Sequence, residues 1–409
     1  MKLFKRTFFA GMAILAIAAC SKEENDNSSP TEPVKLTNRV YSGDELKINV
    51  SDAPAYGKVV KVIPDASNMT EATFEISGQS WTKTVSIVDI IGMIGSKAAT
   101  PDINIPTAGI LPGSTEPVSV RVNVTETENG FTFKSIDGQD VNLDGALTLE
   151  GLSINADVKV PANEVTGEYK LFADNPLYFK SDAKISIAPL GQLPLEKILG
   201  IILSNIKIKD TGKTIPSLLV ETINKISLLP DGNIQCNFNR MKGENPEKNV
   251  DSPLNMATYY ADMTNLGQLN LNINPYAIKA FRNGAQTGTK ANGAEGEEPG
   301  LDPNIFNDIN NILDVLTNYI SGIEMRYMLE EGKLNVYIDY KTLTPVIKAA
   351  LPLLKNQNAM NSIFELIKAI KPDMPQMAQN MLKGLLLEMG NMLEKTTELS
   401  IGLRLQPIK

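Results

Sequence analysis

The sequence predicts an α+β fold: two antiparallel β units, each curled or barrel-like, the second enlarged by amphipathic helices. Three observations predict it. First, apolar and polar residues alternate in short runs between residues 39 and 161, the period of a strand with one wet face. Second, helical spacing introduced by proline gathers in the second half of the chain. Third, landmarks recur in order: Val40-Tyr41-Ser42-Gly43-Asp44-Glu45-Leu46-Lys47-Ile48 returns loosely as Val165-Thr166-Gly167-Glu168-Tyr169-Lys170-Leu171. Ile90-Ile91-Gly92-Met93-Ile94 returns as Ile198-Leu199-Gly200-Ile201-Ile202, and Leu152-Ser153-Ile154 as Leu399-Ser400-Ile401. A unit that opens and closes with a strand suits a sheet whose ends meet or nearly meet, which hides its edges.

The first unit spans 39–161. Leu46, Ile48 and Val50 alternate with polar residues, as do Phe74 and Ile76. Asn129-Gly130 separates Val120–Thr127 from Phe131–Ile136, a hairpin signal. Two further runs between Leu147 and Val160 break at Gly151, and Val85–Lys97 reads as a short helix. A boundary is expected near Pro161–Asn163.

The second unit spans 162–409. A helix is predicted from Pro194 through Leu203, and another from Asp302-Pro303 through Tyr319. Residues 283–300 are rich in Gly, Ala, Thr and Glu and lack large apolar side chains, so a disordered loop is expected there. Ile323–Leu329 and Leu334–Tyr340 alternate around a Glu331-Gly332 turn. Thr344-Pro345 opens a helix that Pro352 is expected to kink or end. Ser362–Ile370 reads as a short helix, and Pro375 opens the longest one, to about Lys395.

Composition excludes several functions. The chain has no histidine, which removes Ser-His-Asp and Cys-His catalysis, His-based zinc and the commonest near-neutral proton shuttle. The net charge of −8 and the lack of a basic run with aromatics argue against nucleic acid. No P-loop, dinucleotide glycine fingerprint or G-x-S-x-G elbow is present, and no local motif selects a carboxylate pair; Glu330-Glu331 sits in a turn. Asp140-Val141-Asn142-Leu143-Asp144-Gly145 resembles the start of a calcium loop, but its twelfth position is Gly151, and a strand edge with outward polar groups explains the same residues. Cys236 lies in alternating strand text with no base or cation beside it, as a buried inert thiol does. Trp81 and the pair Tyr259-Tyr260 are the aromatic candidates for a sugar platform, set against a place in the sheet or core. No catalytic residue, cofactor or metal is assigned, and a binding protein is expected in place of an enzyme.

The feature with most functional content is apolar excess near the C-terminus. Six of the fifteen methionines lie between Met360 and Met392. Methionine adapts its shape to varied apolar partners, so Met377, Met381, Leu385, Met389 and Met392 are the candidate lining of an apolar pocket. An ordinary core of sheet against helices uses the same residues.

Lys2, Lys5 and Arg6 precede an apolar run from Phe8 to Ala19 that ends Ile17-Ala18-Ala19-Cys20. This resembles the lipobox of bacterial lipoprotein signal peptides, which implies removal of residues 1–19 and acylation at Cys20. Ser21-Lys22-Glu23-Glu24-Asn25-Asp26 opens an acidic flexible tether over 20–38 and resembles the export tag of Bacteroidetes surface lipoproteins. With the Val40–Ile48 opening, the chain resembles a family of surface lipoproteins of gut Bacteroidetes that carry calycin-like or lipocalin-like β-domains of unknown function. In the helical insertions it is equally similar to lipid-binding tubular folds of the bactericidal-permeability type. The resemblance implies an outer-membrane, cell-surface location through N-terminal acyl chains. The expected function is a non-enzymatic binding module for an apolar or amphiphilic, lipid-like ligand. The alternative is a glycan-binding or structural surface protein of a nutrient-uptake system.

Overall fold

The structure, a computed structural model, describes residues 34–79, 81–84, 102–105, 111–187, 191–205, 212–242, 245–285, 315, 322–370 and 374–408. The expected signal segment, Cys20, the helix expected at 85–97 and, but for residue 315, the one expected at 302–319 lie outside the described residues. The fold is α+β with barrel-like β units.

The first unit holds β1 (Arg39–Ser42), β2 (Leu46–Val50), β3 (Ala53–Pro54), β4 (Lys58–Pro64) and β5 (Glu71–Gly78). A separate ribbon pairs β6 (Trp81–Thr84) with β7 (Asp102–Ile105). β8 (Val118–Thr127), β9 (Gly130–Ser135), β10 (Val141–Thr148) and β11 (Gly151–Val158) complete the unit. The main sheet runs β1-β4-β5-β8-β9-β10-β11-β2-β3. It curls around a core that includes Val60, Val62, Phe74, Ile76, Val120 and Ile154, every second residue of its strand. Each such side chain contributes roughly 1.5–3 kcal/mol by leaving water. The sheet does not close on itself. Its second strand, β2, lies beside its closing strand β11, and that one pairing is parallel. Val34 and Leu36 pack against this core, so the tether expected to reach residue 38 is already held at 34.

The second unit opens with β12 (Gly167–Leu171), β13 (Leu177–Ser181) and the hairpin β14 (Lys184–Ile187)–β15 (Gly191–Pro194). Helices α1 (Leu195–Asn205) and α2 (Ile215–Thr222) follow, then β16 (Ile223–Leu228), β17 (Asn233–Lys242), β18 (Asn245–Asp251), β19 (Ala257–Ala261) and β20 (Gln268–Ile273). After α3 (Pro275–Ala285) come β21 (Ile323–Glu330) and β22 (Lys333–Ile338), then α4 (Tyr340–Lys355), α5 (Gln357–Ile370), α6 (Gln376–Lys395) and β23 (Leu399–Pro407). β12, β16, β17, β19, β20, β21, β22 and β23 form a closed antiparallel barrel, because β23 pairs back onto β12. Tyr169, Leu171, Tyr259, Leu269, Leu334 and Leu405 fill it.

Several element bounds differ from expectation. α4 starts at Tyr340, four residues early, because the Asp339 carboxylate accepts the Thr342 N–H at 3.0 Å and caps it. Pro352 does not end that helix, which runs on to Lys355. α5 begins at Gln357, not Ser362. Asn283–Ala285 belong to α3, and the rest of the loop expected over 283–300 lies outside the described residues. α2 and α3 were not foreseen, although Thr214 followed by Pro216 is a cap-and-proline signal for α2.

Asparagine amides join the two units. Asn255 is buried in the left-handed region at φ 61°, and its Nδ2 donates to the carbonyls of Val50 and Ala53, each at 3.0 Å. Asn274 Nδ2 donates to Tyr56 O at 2.9 Å, and Asn272 Nδ2 to Ser114 O at 3.3 Å. The receiving turn between β2 and β3 holds Ser51 and Asp52 both at positive φ, and Ser51 Oγ donates to Asp231 at 2.6 Å. The Tyr276 ring lies on Gly57, where a β-carbon would stand 2.3 Å from Cδ2.

Lys58 is buried beside this joint, facing Asn255, Thr258, Asn272 and Asn274 across a narrow gap. Burial pulls its pKa from 10.5 to about 7. The folded chain therefore holds a neutral amine at pH values where the unfolded chain holds a proton. Stability rises as pH climbs from about 7 toward 10.5 and is flat in this respect below 7. Between pH 7.5 and 9.5 the gain is on the order of 2–3 kcal/mol. Urea denaturation at the two pH values should show this gain in the wild type and its loss in Lys58→Met. Replacing Asn255 by Gly keeps the left-handed backbone and removes the amide bonds. It should cost about 1–3 kcal/mol in the same measurement.

Candidate functional site

β12 and β13 lie on the same side of β23 and read as one strand interrupted at Ala173–Asn175. Arg404 of β23 spans the interruption. Its carbonyl accepts the Phe172 N–H at 2.9 Å and its N–H donates to Pro176 O at 2.8 Å, so the three residues between bulge outward. Before the bulge, β12 pairs with β16 and closes the barrel. Beyond it, β13 pairs, among the described residues, only with β23. The seam that opens beside β13 is flanked by α1 and α2 and forms a groove of about 850 Å³.

Leu177, Phe179, Leu199, Leu203, Val220 and Ile401 give the groove its apolar wall. Ile401 is 46% exposed although it sits in a strand. Asp174, Glu196 and Glu221 bring carboxylates to the lining, and Arg404 brings the cation. Three of these four have local work. Glu196 Oε1 accepts the Ser181 N–H at 2.9 Å, fixing the start of α1 against β13. Glu221 is paired with Lys213. Arg404 Nη1 donates to Leu177 O at 2.6 Å, and its guanidinium lies 5.4 Å from the Tyr178 ring centroid. Tyr178 stacks on Tyr337 at 4.8 Å, and burial, then the neighbouring Tyr337, raises its hydroxyl pKa, so it stays neutral. The α2 wall is set by Thr214, whose Oγ1 accepts the Ser217 N–H. The groove can hold an apolar body against one wall and present polar groups to another part of the same ligand.

The five residues read from the sequence as a pocket lining do not bound this groove. Met381, Leu385 and Met392 are buried with Ile185, Leu195 and Ile198, and Met389 packs beside them. Met377 is 58% exposed. The opposite side of α6 packs Ala378, Leu382 and Leu386 against Leu353, Met360 and Phe364 of α4 and α5. The wide apolar face of α6 is thus explained by a helix held between two clusters, and its methionines fill space in place of enclosing it.

The other sequence candidates resolve as follows. Asp140 leads into β10, and Gly145 pairs with Phe133 and Ile154. A β-carbon on Gly145 would meet Ser153 O at 2.0 Å, so this glycine serves close strand packing, not a calcium-loop turn. Asp144 accepts from Asn155 Nδ2 at 3.2 Å on the outer face. Among the described residues no group of three or more Cys, Asp or Glu is placed to hold a metal ion. Cys236 is half-buried, less than expected, and burial followed by the charge of Asp251 raises its thiol pKa. Tyr259 is not a sugar platform. It is buried in the barrel core, with its hydroxyl donating to Leu229 O at 2.9 Å. Trp81 lies in β6, and Glu330 and Glu331 stand at the β21–β22 turn. No described helix is long and apolar enough to cross a membrane.

The chain matches no protein-family model, no curated protein and no solved structure.

Leu385→Ala should cost about 2–5 kcal/mol in thermal or urea unfolding, as removal of buried methyl groups does. Met377→Ala should change stability by less than about 0.5 kcal/mol.

Proposed function

We propose that the chain is a non-enzymatic binding module, tethered at Cys20 to the outer face of the outer membrane, and that it holds an amphiphilic ligand in the groove beside β13. The observation that carries the reading is the groove itself. It joins an apolar wall, including the exposed side chain of Ile401, to a lining with three carboxylates and Arg404. A purely apolar ligand would leave those polar groups facing hydrocarbon, whereas an amphiphile satisfies both parts. The sequence supports binding over catalysis, since a chain without histidine lacks the usual near-neutral proton carrier. The lipobox and the acidic tether support the surface location.

Ile401→Trp places a larger ring in the groove at a position already exposed, so the barrel keeps its packing. It should weaken binding of a fluorescent amphiphile such as trimethylammonium-diphenylhexatriene by about tenfold or more, with an unchanged circular dichroism spectrum. Equal binding by variant and wild type would remove the groove from the reading. Separately, Cys20→Ala should release the chain from the membrane fraction.

A further inference from the structure

We infer that the ligand of the groove is an extended peptide, added to the free edge of β13 as one more strand and carrying both apolar and basic side chains. This rests on the groove being the ligand site and names the class of molecule that fills it. β13 pairs with β23 in the register Leu177↔Leu403 through Ser181↔Leu399. The bonds from Arg404 N–H to Pro176 O at 2.8 Å and from Asp182 N–H to Glu398 O at 3.1 Å fix its phase. In an antiparallel pair every second residue turns its N–H and C=O to the partner. Tyr178 and Lys180 therefore serve β23, and Leu177, Phe179 and Ser181 face away from it. Two of those outward groups are already taken: Glu196 accepts the Ser181 N–H, and Arg404 donates to the Leu177 carbonyl.

Phe179, midway between them, turns its N–H and its C=O toward the groove, and among the described residues nothing bonds either group. An acyl chain filling the groove would exclude water from this donor and acceptor and replace neither bond. A peptide strand at the usual interstrand spacing supplies both. Its apolar side chains meet Leu199, Leu203 and Val220, and its basic ones meet Asp174 and Glu196 in the same lining, where Glu221 is already paired with Lys213. Glu196 and Arg404, capping the edge on either side of Phe179, hold the added strand to a short segment about as long as β13.

The test uses the full acylated chain in lipid nanodiscs and three probes. These are a blocked hexapeptide alternating valine and lysine, the same peptide N-methylated at every second residue, and dodecyltrimethylammonium. Only calorimetric binding that Ile401→Trp or Leu203→Trp removes is counted. The expected result is that the hexapeptide binds, that N-methylation weakens it about tenfold or more, and that the Phe179 amide gains protection from hydrogen exchange. Equal binding of both peptides, or no protection at Phe179, would overturn strand addition. Binding of the detergent cation without the peptide would overturn the peptide and leave the groove as the ligand site. If neither groove variant removes any binding of the three probes, the groove reading falls as well.

Discussion

The shape of the second unit follows from one constraint on hydrogen bonding: β23 has two partners in series on the same side. A barrel closes only where each strand spends both edges. β12 spends its second edge on β16, and the chain then bulges at Ala173–Asn175. β13 resumes the pairing with β23 but, among the described residues, finds no neighbour strand beyond. Pro176 suits this position, since a residue without an N–H can end an interruption and lose no ladder bond. The groove, its apolar wall and the unmet backbone of Phe179 all descend from those three extra residues.

α1 and α2 convert an open seam into a bounded space. α1 is locked at its first turn by Glu196 against Ser181, and its buried side, Leu195, Ile198 and Ile202, packs toward α6. Its other side turns Leu199 and Leu203 to the groove. α6 supports that arrangement from behind with a core packed on two sides. A filled interior is what keeps the wall of the groove in place, so the methionine-rich helix acts on the site through the helix it carries.

Many strands of the first unit were legible, since one-sided burial writes a period of two into residues such as Ile48, Val50, Phe74 and Ile76. The β21–β22 hairpin and the start of α1 were legible for similar reasons. Barrel closure was not, because it depends on a register between Tyr169 and Pro407 that no local pattern encodes. The site was largely hidden. A cavity wall and a packed core draw on the same apolar residues, and only the neighbour across the gap separates Met381 from Leu203. The cap Thr214 with Pro216 was a usable local sign of α2, but nothing nearby marks Phe179 as the residue with a free backbone.

The joint between the two units has a grammar of its own. Asn255, Asn272 and Asn274 reach across it, and what they grip on the other side is the main chain: the carbonyls of Val50, Ala53, Tyr56 and Ser114. Carbonyl oxygens are the same whatever side chain the residue bears. Substitutions at those four acceptor positions therefore leave the grip intact provided the turn keeps its path, while the asparagines tolerate little. Divergence across this seam should be lopsided, fast in the half that is held and slow in the half that holds.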